Sequence, residues 1–374
     1  METTILEKID EIEEEIIEGI KGIVRIDSVR SVEKPGMPYG EGVNEALEKT
    51  LELAKRLGFT TENIAHQVGI VKYGEGEDYI GIFGHLDVVE VGEGWQCPPF
   101  SAHEDKNGRI FARGILDNKG PILANLYALY TLKELGIPVK RPIWIIFGTN
   151  EETGFADMRY YLTKKQPPIM GWTPDCKYPV VYAERGRSSY QISTGIENQE
   201  EFITFVNEYL LSSSKNAERL SLNIKDEEFG EMEMRGLKLV YKNKQTLCFE
   251  FTFSYPASIT NSEIEASITS KLSKNLQLVC MLNYNPVYFD KECFLCQTLK
   301  ETYEKITGMD GTPVTTTGGT YAKIVPNILP FGPSFPNQKG IGHNPNEWMD
   351  RKDLIINTKI YALSMYRLAT KEEL

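Results

Sequence analysis

Continuous apolar runs that alternate with helical patterns constrain this chain more than any other feature. Residues 141–147 (RPIWIIF) and the core of 78–91 (DYIGIFGHLDVVEV) read as buried strands, as does 65–76 (AHQVGIVKYGEG). Between and after them lie helical stretches. Residues 43–59 (VNEALEKTLELAKRLGF) close at Gly58. Residues 121–138 (PILANLYALYTLKELGIP) open at Pro121 and stop at Gly136 and Pro138. Strands that alternate with helices predict an α/β domain with a central, largely parallel sheet flanked by helices. Ile5, Ile9, Ile12, Ile16, Ile20 and Ile23 recur at helical spacing, so a helix opens the chain, with Thr4 and Glu7 as its capping box.

The texture changes near residue 187. A strand (187–196), a helix from Gln199 to about Leu211, two paired strands (235–243 and 246–256), a helix (262–275) and a strand (276–284) follow. That β-α-β-β-α-β order predicts a small α+β domain of the split-βαβ, ferredoxin-like kind. The α/β pattern then resumes and ends in a helix over 353–368. The expected division is 1–186 with 297–374 as one domain, and 187–296 as a lid or dimerisation domain inserted into it.

Charge excludes some functions. Lys plus Arg is 41 and Asp plus Glu is 53, a net charge of −12. That disfavours nucleic acid and anionic membrane as partners. No apolar run approaches the roughly 18 residues of a spanning helix. The first twenty residues have neither the basic nor the apolar region of a secretory leader, and the six cysteines are scattered, so a cytoplasmic protein with reduced thiols is expected. Cys293-x-x-Cys296 lies in a helical pattern and reads as two thiols near one helix face.

The strand over 141–147 ends in Gly148-Thr-Asn-Glu-Glu-Thr-Gly154. Two adjacent carboxylates beside a buried strand repel each other and resist desolvation, so a cation nearby would compensate them. Other metal-ligating residue types stand at comparable places. His85 and Asp87 end the strand of 78–91, two apart and so on one face. Asp117 precedes a helix, Asp175 precedes a strand, and His343 lies in a Gly-rich loop. In open α/β sheets, loops at the carboxyl ends of strands converge on one crevice. Two imidazoles and several carboxylates there suit a pair of divalent cations. His66 and His103 are expected to carry no function.

The segments 84–89 (GHLDVV), 94–121, 148–161 (GTNEETGFADMRYY), 173–186 (TPDCKYPVVYAERG), 318–323 (GGTYAK) and 340–349 (GIGHNPNEWM) resemble, in order and spacing, the co-catalytic di-zinc peptidases. That clan includes aminoacylase, glutamate carboxypeptidase and succinyl-diaminopimelate desuccinylase. The strongest resemblance is to the bacterial dipeptidase V, or Xaa-His dipeptidase, branch. The resemblance implies two Zn²⁺, with Mn²⁺ or Co²⁺ as substitutes. His85, Asp117 and Asp175 would hold one, and Asp117, Glu152 and His343 the other. Asp87 would orient His85. Glu151 would act as general base toward a metal-bound hydroxide, and Gly318, Gly319 and Thr320 would face the substrate.

The resemblance also implies a zinc-dependent dipeptidase or related amide hydrolase acting on a small peptide or N-acyl amino acid, as monomer or homodimer. Two features of the family are missing. Residues 187–296 contain no histidine to contact the scissile carbonyl, and Ser254-Tyr255-Pro256 stands where Arg-Tyr-Pro is expected. Arg219 and Arg235 are the candidate replacements. A deacylase, or a catalytically impaired homologue that binds a peptide, metabolite or partner protein, is the alternative expectation.

Overall fold

The structure is a computed structural model that describes residues 1–371. The chain divides into two compact units. One comprises Met1–Val181, Asp290–Val314 and the chain from Thr320 on; the other comprises Tyr182–Phe289 and Thr315–Gly319. The breaks fall a few residues before those expected at 187 and 297. The short stretch Thr315–Gly319, expected in the first unit, belongs to the second because it pairs there: Arg185 donates its backbone N–H to the Thr316 carbonyl at 3.2 Å.

The first unit is built on a six-stranded sheet. Its spatial order is Thr60–Ile64, Val68–Tyr73, Ile143–Gly148, Ile80–His85, Met170–Thr173 and Ile328–Pro330. The last four run parallel, with Ile80 opposite both Ile143 and Met170, and Ile328 opposite Gly171. The first two are antiparallel additions at one edge. Every residue of Ile80–His85, Ile143–Gly148 and Met170–Thr173 is buried, as continuous apolar runs require when both faces of a parallel sheet are covered. Gly171 allows the closest approach: a Cβ there would meet the Gly81 carbonyl oxygen at 1.8 Å.

Helix Lys119–Glu134 is buried along almost its whole length, including Asn125 and Thr131. It packs on strand Ile80–His85 and against helices Glu13–Val24 and Arg351–Thr370, so it has no solvent face and needs no amphipathic pattern. It starts at Lys119, two residues before Pro121.

The opening segment departs from expectation. It forms two helices, Glu2–Glu11 and Glu13–Val24, separated at Ile12, whose φ of −100° leaves the helical region. Thr4 lies inside the first helix and caps nothing. A complete capping box occurs instead at Thr260 and Glu263, at the start of helix Asn261–Thr269. A hairpin that turns at Asn107–Gly108 pairs His103–Glu104 with Arg109–Phe111. His103 and His66 are both exposed, and the His66 ring meets Asn44 and Glu48. All six cysteines are free thiols. Cys293 caps helix Phe294–Thr307 through its sulfur, which accepts the Cys296 N–H.

In the second unit, four antiparallel strands lie in the order Glu233–Asn243, Thr246–Tyr255, Gly186–Gly195 and Gln277–Tyr284. In chain order this is 2-3-1-4, with helices after the first and third strands, the split-βαβ arrangement. Its own core joins Tyr190, Ile192, Phe202, Phe251, Phe253 and Ile264. The helix from Gln199 continues from Val206 to Leu211 as a π-helical turn. Among the described residues, no helix is long and apolar enough to cross a membrane.

Candidate metal centre

The parallel strands deliver acidic and imidazole groups to one end of the first unit's sheet. His85 is the last residue of its strand and is completely buried. Glu151 and Glu152 follow strand Ile143–Gly148 by three and four residues, and Asp175 follows Met170–Thr173 by two. Asp117 comes from the loop that leads into helix Lys119–Glu134. His343 comes from the Gly-rich loop, in the left-handed region at φ +61°.

These side chains meet. Asp117 Oδ1 lies 3.1 Å from His85 Nε2, and Asp117 Oδ2 lies 3.0 Å from His343 Nε2. Asp175 Oδ2 is 3.7 Å from the same His85 nitrogen. Glu152 Oε1 is 3.0 Å from His343 Nε2. The ligand atoms of His85, Asp117 and Glu152, and again those of His85, Glu151 and Asp175, lie within 4.8 Å of one another.

The hydrogen bonding tests whether a cation fits. His85 Nδ1 is 2.8 Å from the Asp87 carbonyl oxygen, which only accepts, so Nδ1 carries the proton. In the neutral ring, Nε2 then presents a lone pair toward the carboxylates of Asp117 and Asp175. Acceptors facing acceptors in a buried place require a positive charge between them, either a proton or a metal ion. The donor set, imidazole and carboxylate only, is one that suits zinc and similar divalent cations.

The protonation tendencies reflect the same crowding. Burial opposes charge on His85, yet Asp117, Asp175 and Asp87 raise its proton affinity well above that of ordinary imidazole. Hydrogen bonds with Asp117 and Glu152 raise His343 to about 10. Burial and the neighbouring Asp117 carboxylate push Asp175 up to about 7. Burial, then the charge of Asp175, pushes Glu151 well above the usual carboxylate range, and burial also raises Glu152. Burial would raise Asp117 as well, but its two imidazole partners outweigh it and hold it low.

Asp87 does more than the sequence suggested. Its carboxylate is 3.5 Å from His85 Nδ1, farther than its own carbonyl oxygen. Its two carboxylate oxygens instead accept the backbone N–H groups of Glu151 and Glu152, each at 3.2 Å. One residue therefore fixes the His85 ring and the turn that carries both glutamates.

Several supporting residues were not anticipated. Asp157 Oδ2 accepts the N–H groups of Thr149 (2.7 Å) and Asn150 (2.9 Å) and the Tyr321 hydroxyl. Gly148 is required at that point, since a Cβ would meet the Tyr321 oxygen at 1.9 Å. Glu347 is fully buried. Its Oε1 accepts the N–H groups of Gly114, Leu116 and Asp117, and its Oε2 pairs with Arg113 at 2.7 Å. Asn118 accepts from the His85 N–H and donates to the Pro174 carbonyl, tying the segment of His85 to the one that carries Asp175. The one available sequence signal was proximity: Asn118 and Glu347 flank Asp117 and His343.

Thr320 is buried and its hydroxyl accepts the Ala322 N–H. Gly318 and Gly319 belong to the second unit.

A parallel α/β sheet that gathers imidazoles and carboxylates beyond its strand ends fits a metal-dependent hydrolase. Within that class the chain belongs to Peptidase family M20/M25/M40, whose profile matches residues 81–367. Among curated relatives, the putative dipeptidase YtjP of Bacillus subtilis (strain 168) is 27% identical over 95% of this chain and 97% of its own length. The Beta-Ala-Xaa dipeptidase of Lactobacillus delbrueckii subsp. lactis is also 27% identical, over 96% of this chain and 97% of its own. The first alignment runs to 454 positions against a chain of 374 residues, so that relative has segments without a counterpart here. Among solved structures, human carnosine dipeptidase 1 superimposes with a TM-score of 0.72 at 15% identity, covering 98% of this chain and 99% of that one. The Bacillus subtilis YXEP protein, described as a dinuclear metal-binding peptidase of the M20 family, gives 0.68 at 10% identity, covering 96% and 99%.

Proposed function

We propose that this protein is a metal-dependent dipeptidase that works with two divalent cations. The observation that carries the proposal is the placement of Asp117, whose two carboxylate oxygens each face a different imidazole. A carboxylate so placed suits a bridge between two ions. His85 and Asp175 would complete one set of ligands, and Glu152 and His343 the other. Zinc fits the donor set, with Mn²⁺ or Co²⁺ as substitutes. When bound, the ions supply Lewis acidity toward the scissile carbonyl and make water a stronger acid.

The chain's own residues do the rest. Glu151 is 9% exposed, stands next to Glu152, and keeps its carboxylate within 4.8 Å of the His85 and Asp175 ligand atoms, which places a base beside water held there. It takes the proton of the attacking water and delivers it to the leaving amine. Its raised proton affinity suits the second step, because the protonated form must persist long enough to donate. Asp87 holds the Glu151 amide and the His85 ring in register, so base and ligand move as one piece. Gly318, Gly319 and Thr320 are the proposed substrate-side residues. The relatives' names support a small peptide as substrate. A cytoplasmic location and a monomeric or homodimeric state are further parts of this reading.

The test is metal analysis combined with turnover on a dipeptide panel. About two equivalents of divalent metal and hydrolysis that stops on chelation and returns on reloading are expected. Protein that cannot be loaded, or that is loaded yet cleaves no dipeptide while cleaving N-acyl amino acids, would overturn the assignment.

A further inference from the structure

A cavity of about 520 Å³ opens beside the centre, within the first unit. Glu152 and His343 line it. Val29, Val88 and Val89 give it apolar lining, and Arg30, which is exposed, lines it as well. The Arg30 guanidinium donates to Thr153 Oγ1 at 2.9 Å and lies 5.7 Å from the Tyr39 ring centroid. Thr153 is the residue next to Glu152. The cation is thus tied to the turn that carries the glutamates.

Among the described residues, Arg30 has no carboxylate partner, although the chain carries a net charge of −12. Two of the three acids that line the cavity are committed elsewhere. Asp87 accepts two backbone amides, and Glu152 faces His343. A guanidinium has five N–H donors in a planar fork matched to a carboxylate, and the bond to Thr153 uses one of its nitrogens. Tyr39, which is 7% exposed, backs the guanidinium and limits its swing. Glu90 lines the same cavity, so the local field does not favour a polyanion such as a phosphate.

We infer that this cavity is a substrate subsite in which Arg30 binds the free carboxylate of the peptide, with the valine wall against the adjoining side chain. The inference rests on the dipeptidase reading. It makes Arg30 a positioning residue that selects substrates with a free carboxyl terminus.

The probes are β-alanyl-leucine and its C-terminal amide, with zinc-loaded protein. Binding is measured by calorimetry in an E151Q background, where turnover is slowed by about 10²–10⁴. Kinetics are measured with Glu151 in place. Arg30→Ala is expected to weaken binding of the free acid by about 10- to 100-fold, the range for hydrogen bonds to charged groups. The amide should change by less than about threefold. Arg30→Lys keeps the charge but not the fork and should fall between. In kinetics, KM for the acid should rise with kcat held. Equal losses for acid and amide, or unchanged binding of the acid, would overturn the subsite. A protein that binds the acid through Arg30 yet hydrolyses neither probe with Glu151 in place would leave the subsite standing and sink the dipeptidase reading alone.

Discussion

Asp117 sets one carboxylate oxygen 3.1 Å from His85 Nε2 and the other 3.0 Å from His343 Nε2. The two histidines are far apart in sequence, and this one side chain connects them. Asp117→Asn should therefore weaken both metal sites together, because a carboxamide offers one weaker acceptor and no charge. Loss of both equivalents under conditions that keep the parent protein loaded is expected, read by elemental analysis after dialysis. Loss of one equivalent alone would mean that Asp117 serves a single ion.

Glu151 and Glu152 should separate by function. Glu151→Gln is expected to retain its metal and lose about 10²–10⁴ in kcat, the range for removal of a general base. Glu152→Gln should release metal, since Glu152 Oε1 faces His343 at 3.0 Å. Elemental analysis and steady-state rates on the same preparations check both. The reverse pattern would exchange the two roles.

The sheet and the meeting of the candidate ligands at its end were legible because they follow from periodicity. Strands buried on both faces must read as unbroken apolar runs, and ligands at their ends then fall in one crevice. His85, Glu152 and Asp175 all follow that rule. The join between Asp117 and His343 is not periodic, and it emerged only from the resemblance of the whole motif set. Asp157 and Glu347 were missed because they bind backbone amides, which leave no residue-type pattern. Thr4 was misread because a capping signature is short and the helix already begins at Glu2. The helix Lys119–Glu134 was placed within two residues, despite lacking an amphipathic face, because Gly136 and Pro138 mark its end.

Metal removal should reverse the pH dependence of stability. In metal-free protein, His343 is raised to about 10 by Asp117 and Glu152. Its stabilising proton is fully present below the unfolded value of about 6.5 and is lost as pH rises toward 10. Asp175, raised to about 7 by burial and Asp117, acts in the same direction: its neutral form favours the fold, and that advantage disappears between about 4 and 7. Asp117 is held low and acts oppositely, but only in the acid range below its unfolded value. Chelated protein should melt at lower temperature at pH 8.5 than at pH 6. Metal-loaded protein should gain over this range, because its ligands must be deprotonated. Thermal unfolding with and without chelator at both pH values is the measurement. A chelated protein whose melting temperature rises with pH would contradict it.

Ser254 occupies a strand position opposite Arg187 and Glu233, is 5% exposed, and its hydroxyl has no hydrogen-bond partner among the described residues. Its carbonyl oxygen accepts from the buried Arg185 guanidinium at 2.9 Å. Installing arginine here would force a long cation into a packed place beside another cation. Ser254→Arg is expected to destabilise the protein by about 1–3 kcal/mol or more from overpacking and unpaired charge. It should not behave as a simple gain of a carboxylate clamp. Denaturant unfolding gives the stability. An unchanged midpoint with tighter dipeptide binding would show that the side chain escapes burial.

Glu347 should matter as much as a ligand without being one. Its Oε1 gathers the N–H groups of Gly114, Leu116 and Asp117, while Oε2 pairs with the buried Arg113 guanidinium at 2.7 Å. Burial, with Asp117 nearby, pushes this carboxyl up to about 7, against the lowering by the amides and Arg113. In Glu347→Gln, the NH₂ group must face either the three amides or Arg113, so donors meet donors in both orientations. Arg113 also loses its counter-charge while remaining 1% exposed. A stability loss of about 3–5 kcal/mol is expected, the range for a broken buried pair. Asp117 loses the anchor of its own amide, so metal affinity should fall by about 10- to 100-fold as well. The double variant Arg113→Met with Glu347→Gln separates the effects. Removing the orphaned charge should recover much of the stability, because a similar-sized apolar side chain fills the space. Metal affinity should stay low, because the amides of Gly114, Leu116 and Asp117 still lack their carboxylate. Denaturant unfolding and competitive metal titration on the two variants give both numbers. Recovery of metal affinity along with stability would mean that Glu347 acts only through the packing of Arg113.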